Sequence, residues 1–410
     1  MSVDILIIGS GPAGSSTALH LAQLAPELIP HTLILEKAHH PRPKLCGGGL
    51  VIDAETILER LGLDVSEIPH VDAKSAHLDF EGRGMHVRLS RGHALRMIQR
   101  DEFDAWLVKN AESKGVEIKE GVTVKDVQPR EECVIVETDA GDFAAQVVIG
   151  ADGSNGVTRH CVLPQTPVHT ARLLEVFTPV IARSDIVPEW EATKQSDDNR
   201  ETAAPTPFAR KDSQIRQEVA YFDFFPVPQG IAGYVWDFPT QVKGQAMRCR
   251  GVYDTNLLAD CSRPPLKNPL AVEMARHGYD LDDYKLQGYP IRWFSPRSQF
   301  SAPRVLLVGD AAGVDPLFGE GISMALGYGQ LAAQAIQEAF IKGDFFFRNY
   351  RHRILRSSMG AALTARWGIA QMLYHLHFRR FQRFFWRHMG GIILAAASIF
   401  VINWAKRSGD

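Results

Sequence analysis

Gly9, Gly11 and Gly14 stand in the spacing GxGxxG, and Glu36 follows 22 residues after the last of them. In such a pattern the first glycine permits a tight turn, the second lets the backbone approach a pyrophosphate, and the third lets a helix pack close to a sheet. The later acid accepts hydrogen bonds from ribose hydroxyls. Two further clusters pair glycine with an acid: Gly150-Ala-Asp152-Gly153-Ser154 with Arg159 beyond it, and Gly309-Asp310-Ala-Ala-Gly313 with Pro316, Gly319, Glu320, Gly321 and Ile322 beyond it. Asp310 is a candidate for ribityl hydroxyls, and the backbone at Gly321 and Ile322 for a ring or phosphate. Taken singly, either cluster reads equally as a turn with a helix N-cap. Pro41-Arg-Pro43-Lys44-Leu-Cys46-Gly47-Gly48-Gly49 adds three glycines without a side-chain wall, a shape suited to backbone lying against a flat ring. Its Lys44 is a candidate phosphate ligand or a solvated lysine. Arg100 is a candidate cofactor contact or a surface charge.

These groups need strands that end beside them. Residues 3–8 are an apolar run, a helical pattern follows through Ala18, Leu21, Ala22 and Leu24, and residues 33–35 form a second apolar run ending at Glu36. That is one βαβ unit with the glycines in its first turn. Residues 147–149 and 305–308 are buried-strand patterns running into the two aspartate clusters. A helix with Phe103, Trp106 and Leu107 on one face follows Arg100, residues 133–137 alternate as a strand, and residues 322–339 form a small-residue helix. Between about 165 and 287 the pattern is irregular and rich in aromatics. The fold class expected is α/β: a Rossmann-like dinucleotide-binding domain (1–70, 96–165 and 288–344) with an inserted, mostly antiparallel β substrate domain (71–95 and 166–287). Residues 345–410 complete it as a basic, amphipathic C-terminal helical region.

The three glycine–acid clusters, in this order, resemble the FAD-binding pattern of the para-hydroxybenzoate hydroxylase superfamily. The resemblance implies that Gly9, Gly11, Gly14, Glu36, Arg100, Asp152, Asp310, Gly319, Gly321 and Ile322 serve FAD. PxxKxCGGG, here Pro41 to Gly49, resembles the geranylgeranyl reductase family, flavoproteins that saturate isoprenoid double bonds. Tyr234-Val-Trp236-Asp-Phe238-Pro239 is similar to that family's YxWxFP element, although Thr240 to Gly244 matches the following glycine pattern only loosely. The resemblance implies that Lys44, Gly47, Gly48 and Gly49 lie beside the cofactor and that Tyr234, Trp236 and Phe238 line the substrate cavity. An isolated trisubstituted alkene has no carbonyl to polarise it, so hydride from reduced flavin must be matched by a proton where positive charge develops. The pocket must therefore be dry, aromatic and equipped with one acid. Cys46 is the candidate catalytic residue, as proton donor or positioning group; a buried inert thiol is the plain alternative. No second GxGxxG occurs, so the electron donor is expected to be transiently bound NAD(P)H or a small carrier such as ferredoxin. A flavin monooxygenase or halogenase of the same superfamily, and an electron-transfer flavoprotein serving a membrane quinone, are the competing readings.

Composition frames this. A chain of 410 residues, 45% hydrophobic and 22% charged, is a globular protein of two or more domains, which excludes disorder, collagen and a small disulfide scaffold. The five cysteines are widely spaced and without metal-ligand pairing, so reduced thiols and no metal are expected. No secretory signal opens the chain, and a cytoplasmic location is expected. The net charge of −2 divides unevenly: residues 345–410 hold eleven Lys or Arg and one acid, leaving −12 on the remainder. Arg379, Arg380, Arg383 and Arg387 fall on one arc of a helix otherwise covered by Phe378, Phe381, Phe384, Phe385 and Trp386, and residues 389–405 are uncharged. Three placements are open for this tail: an interfacial anchor, a membrane span, or helices packed on the protein or a partner. With a prenyl-lipid substrate, the anionic membrane surface is the expected partner, and no nucleic acid is.

Overall fold

A computed structural model of the chain describes residues 2–88, 92–163, 170–180, 218–258, 264–388 and 403–407. From the N-terminus run β1 (Ser2–Ile8), α1 (Pro12–Leu24), β2 (Thr32–Glu36), α2 (Ile52–Arg60), β3 (Ser75–Phe80), β4 (Arg83–Val87), β5 (Leu95–Ile98) and α3 (Arg100–Ser113). β6 (Glu117–Glu120), β7 (Phe143–Gly150), β8 (Thr170–Pro179), β9 (Val219–Asp223), β10 (Gly233–Val242), β11 (Gln245–Asp254) and β12 (Val305–Leu307) follow. The last helices used below are α4 (Ile322–Lys342), α5 (Ser358–His375) and α6 (Arg379–His388).

β12, β7, β1, β2 and β6 lie side by side in that order, all parallel. Ile5, Leu6 and Ile7 are wholly buried, so β1 is apolar without alternation, as a parallel strand covered on both faces must be. α1 and α4 pack closely on one another: a Cβ at Gly329 would lie 2.5 Å from Ser16 Oγ. The chain leaves β1 toward β2 on one side and returns to β7 on the other. A crevice therefore opens beyond the carboxyl ends of β1 and β7, the place where open α/β sheets bind ligands.

A second sheet has the order β8, β11, β10, β9, β3, β4, antiparallel except where β9 runs parallel to β3. A three-stranded sheet of Gly49–Leu50, β5 and His70–Ala73 lies between the two. β10 is buried on both faces. Its even-numbered residues Tyr234, Trp236 and Phe238 share one aromatic cluster, whereas Val235 packs with Leu270 and Met274 of the helix Lys267–Ala275. Asp237, on that opposite face, sits with His277 and Glu273 and is clasped by Arg248 and Arg250. These arginines hold its carboxyl well below the usual range against the penalty of burial, which makes the group a neutralised structural cluster.

The described part of the tail reaches into the core. Arg366 of α5 is buried and pairs with Asp315 at 2.9 Å and Glu320 at 3.5 Å. Phe385 and Trp386 of α6 are buried, with Trp386 against Phe224, which follows β9. Trp404 is 1% exposed, and the N–H groups of Asn403 and Ala405 donate to Asp53 of α2. No helix among the described residues is long and apolar enough to cross a membrane. Residues 389–402, most of the uncharged run, lie outside the described residues.

Candidate active site

Gly9 follows β1 at φ +100°, and a Cβ there would stand 2.5 Å from the carbonyl oxygen of Ala151, which follows β7. The turn can close against the neighbouring strand only without a side chain. At Gly14 a Cβ would lie 1.9 Å from the Gly9 carbonyl, so this glycine seats α1 on the turn. Gly11 faces open space, with the Arg42 guanidinium the nearest group at 3.5 Å. α1 has no side-chain N-cap, and its positive end opens on the crevice, as phosphate binding requires.

Glu36 ends β2 with its carboxylate already organised. Oε2 accepts from the Ser10 N–H and hydroxyl, both at 2.9 Å, and Oε1 accepts from the Ala38 N–H at 3.1 Å. Burial works to raise its pKa, but Arg42, 3.5 Å away, and these donors prevail and hold it below the usual range. Arg42 also approaches Asp104 at 3.4 Å, bridging the two acids. At Asp152, Oδ2 accepts from the Thr158 N–H and hydroxyl, whereas Oδ1 is buried without a partner. Asp310 accepts from Ser154 Oγ at 3.4 Å and lies beside Gly321, which precedes α4; Ile322 is the first helical residue, and the Ser323 N–H after it donates to Glu320 at 2.8 Å. Gly319, at φ +67°, crosses the Tyr253 ring so closely that a Cβ would sit 2.8 Å from it.

The Cys46 loop crosses between the sheets. Gly47 lies on Phe238, where a Cβ would be 3.2 Å from the ring, and Gly48 has φ +77° with its Cβ position 2.2 Å from the Ile98 carbonyl. These two glycines are thus demanded by protein packing as well, while Gly49 has nothing nearer than 3.7 Å. Lys44 Nζ rests 3.3 Å above the Tyr289 ring. Cys46 accepts a hydrogen bond from the Gly48 N–H at 3.4 Å and another from the Arg100 guanidinium. Burial pushes its thiol up, more than Arg100 and Gly48 bring it down, so the sulfur keeps its proton at neutral pH. Arg100 is itself fixed by a bidentate pair to Asp104 at 2.8 and 2.9 Å.

One cavity of about 850 Å³ joins all of this. Gly9, Gly11, Glu36, Lys44, Cys46, Gly47, Gly48, Gly49, Arg100, Asp152, Asp310, Gly319, Gly321 and Ile322 line it, together with Tyr234, Trp236 and Phe238; Gly14 stands behind the wall. Its far end is apolar, formed by Leu78, Met85 and Val87 of β3 and β4 and by Phe222 and Phe318. Tyr234 is held by a 2.6 Å hydrogen bond to the Phe318 carbonyl, and Trp236 donates to Cys249 Sγ at 3.4 Å. Gly251 leaves the room that the Trp236 ring fills.

A family model described as an FAD binding domain matches residues 2–210. The chain belongs to this FAD-binding family. It is an FAD-dependent oxidoreductase, similar over most of its length to reductases of prenyl compounds. The digeranylgeranylglycerophospholipid reductase of Thermoplasma volcanium is 26% identical over 365 residues, covering 83% of this chain and 80% of that one. The geranylgeranyl diphosphate reductase of Rhodobacter capsulatus is 28% identical over 353 residues, covering 83% and 76%. Among solved structures, a geranylgeranyl bacteriochlorophyll reductase-like protein from Thermoplasma acidophilum superposes with a TM-score of 0.70 at 20% identity over 99% of this chain and 98% of that one. The flavin-dependent brominase Bmp2 reaches 0.68 at 19% identity over 100% and 95%. At these identities the two structures establish a shared fold and no shared reaction.

The cavity fits FAD on its own terms. The unpartnered Asp152 Oδ1, the preset Glu36 carboxylate, the open backbone at Gly11 and the uncapped start of α1 supply the acceptors and donors that a dinucleotide needs. Sequence reading missed four residues that the fold brings to or behind this cavity: Arg42, Glu175, Cys249 and Arg366. Arg42 stood in plain view between two prolines but at no motif position. A charged residue inside the apolar strand Leu173-Leu-Glu175-Val-Phe177 was the one local signal for Glu175.

Proposed function

We propose that this flavoprotein saturates carbon–carbon double bonds of a geranylgeranyl or related prenyl lipid. The observation that carries the reading is a single cavity in which a protonated thiol, Cys46, stands between the dinucleotide-binding groups and an aromatic, otherwise apolar pocket. FAD, when bound, supplies the hydride. Cys46 holds the proton that the neighbouring carbon must receive, and Arg100 steadies the sulfur as that proton leaves. Trp236 and Tyr234 present ring faces to the positive charge that develops on the alkene, and the buried aromatic wall keeps water from capturing it. Leu78, Met85 and Val87 give the rest of the isoprenoid chain an apolar bed. The names of the relatives support the same substrate class. Because such a lipid resides in a bilayer, the exposed Phe378 and Phe384, with Arg380 and Arg387, form the face we assign to anionic lipid.

The test is to incubate the chemically reduced protein with a geranylgeranylated phospholipid without oxygen and to follow the mass of the lipid. Gain of one H2 per double bond is expected. Cys46→Ser should keep its FAD and lose roughly 100-fold or more of the rate, the usual worth of a positioned proton donor. Gain of an oxygen atom or of halogen under air, or reoxidation by quinone with the lipid untouched, would replace this reading with a monooxygenase, a halogenase or an electron-transfer protein.

A further inference from the structure

Glu175, on β8, is a buried carboxyl group, 1% exposed, for which the reaction above has no use. It stands directly behind the Cys46 loop: Oε1 accepts from the Cys46 N–H at 3.2 Å, and Oε2 is 4.0 Å from the Cys249 thiol. It does not line the cavity. Among the described residues no cation pairs with it, unlike Asp237, Asp254, Asp315 and Asp104, each of which has an arginine. Several buried acids of this fold pair with an arginine; Glu175, like Asp53, pairs with none, and it stands beside the candidate proton donor.

The chemistry of the proposed reaction supplies a reason. Each turnover consumes the Cys46 proton and leaves a thiolate in a buried place, and the next turnover needs that proton restored. Resting on the function proposed above, we infer that Glu175 is the proton reservoir of Cys46. The S–H bond breaks as the C–H bond forms on the substrate. The Glu175 O–H bond then breaks as the S–H bond reforms, and the carboxylate regains a proton from water when the product leaves. With the hydride from reduced FAD, each double bond gains one H2 and one solvent proton is consumed. Glu175 acts through Cys46 and touches neither substrate nor reacting carbon.

Its surroundings suit the role. Burial pushes the carboxyl up to about 7, with the Cys46 N–H pulling the other way, so both of its protonation states are populated near neutrality. The titratable and charged groups facing it are Cys46 on the loop, with Arg100 of α3 beyond the sulfur, and Cys249 of β11, with Asp237 of β10 beyond that thiol. Its neighbours in the sheet, Gly251 and Gln287, carry no charge. The carboxylate form raises the Cys46 pKa; the neutral form does not.

The experiment uses the full-length, FAD-loaded protein. The rate of iodoacetamide alkylation at Cys46, read by peptide mass against pH without substrate, reports thiolate directly. In wild type this titration should show an inflection near pH 7 from Glu175 below that of the thiol itself. Glu175→Gln should remove that inflection and move the thiol titration to lower pH. Prenyl reduction should fall above about pH 7 in wild type, and in Glu175→Gln it should lose that limb and slow roughly 10- to 100-fold while FAD content stays the same. Should Glu175→Gln not fold, Glu175→Asp and the wild-type alkylation profile carry the same test. A single thiol inflection in wild type, or reduction whose pH limb survives in the variant, overturns the inference. Coupled titration without any prenyl reduction overturns instead the function on which it rests.

Discussion

At the scale of single residues, the site is built by setting titratable groups apart with burial and selective pairing. Arg42 and the Ser10 and Ala38 donors hold Glu36 charged, while burial keeps the Cys46 proton in place and leaves Glu175 near neutrality. An acid whose pKa is raised on folding binds its proton more tightly in the native state than in the unfolded chain. Stability is therefore lost as pH rises from the unfolded value of 4.5 toward the folded value of about 7, and is retained below that window. The linked loss for Glu175 is about 3 kcal/mol. Glu175→Gln should accordingly be more stable than wild type at pH 8 by up to about that amount, and nearly equal to it at pH 4. Urea midpoints at the two pH values check this; the same difference at both would mean that Glu175 titrates like an ordinary surface carboxyl.

At the scale of elements, alternation assigns faces. On β10 the even positions deliver aromatics to the cavity and the odd position Asp237 serves a buried ion cluster, so one short motif does two unrelated jobs. α6 shows the same division around a helix. Gln382, Phe385 and Trp386 are buried, Arg379 and Arg383 reach Glu81 at the β3–β4 turn, and Phe384 is 56% exposed beside Arg380 and Arg387. The arginines and aromatics predicted on separate arcs are thus partly turned inward, because α6 must also cover the second sheet. What remains outside is a small basic–aromatic face. Replacing Arg380 and Arg387 with alanine should lower partition onto phosphatidylserine vesicles by about 30-fold at low salt, at about 1 kcal/mol per arginine. FAD content should not change, since neither side chain lines the cavity. Sedimentation with vesicles at two salt concentrations decides it; equal binding by both proteins would remove lipid from the role of this face.

At the scale of the molecule, the division of charge is not a division of structure. The +10 of residues 345–410 reads in sequence as a detachable basic region. Yet Arg366 reaches into the loop that carries Asp315, Gly319 and Glu320, and the end of the chain is hydrogen-bonded to α2. Arg366→Ala would leave two buried carboxylates without their cation, at a cost of about 3–5 kcal/mol. The expected outcome is a marked fall in melting temperature together with loss of FAD, followed by differential scanning fluorimetry and flavin absorbance. A stable variant that keeps its flavin would show the tail to be dispensable for the cofactor loop.

The sequence by itself determined the α/β fold and the FAD class. Those depend on local rules: glycines at fixed offsets where a turn or close approach excludes Cβ, apolar runs of strand length, and acids at strand ends. Even there the reasons were incomplete, for Gly47 and Gly48 answer to Phe238 and Ile98, which lie far away in the chain. Arg42 beside Asp104, Glu175 behind Cys46, and Arg366 against Asp315 and Glu320 were decided only by tertiary structure. Only Glu175, set in an apolar strand, has neighbours that mark it at all; each is a lone charged residue at no motif position. Its meaning comes from burial and from the presence or absence of a counter-charge, and both arise only when distant segments close around it.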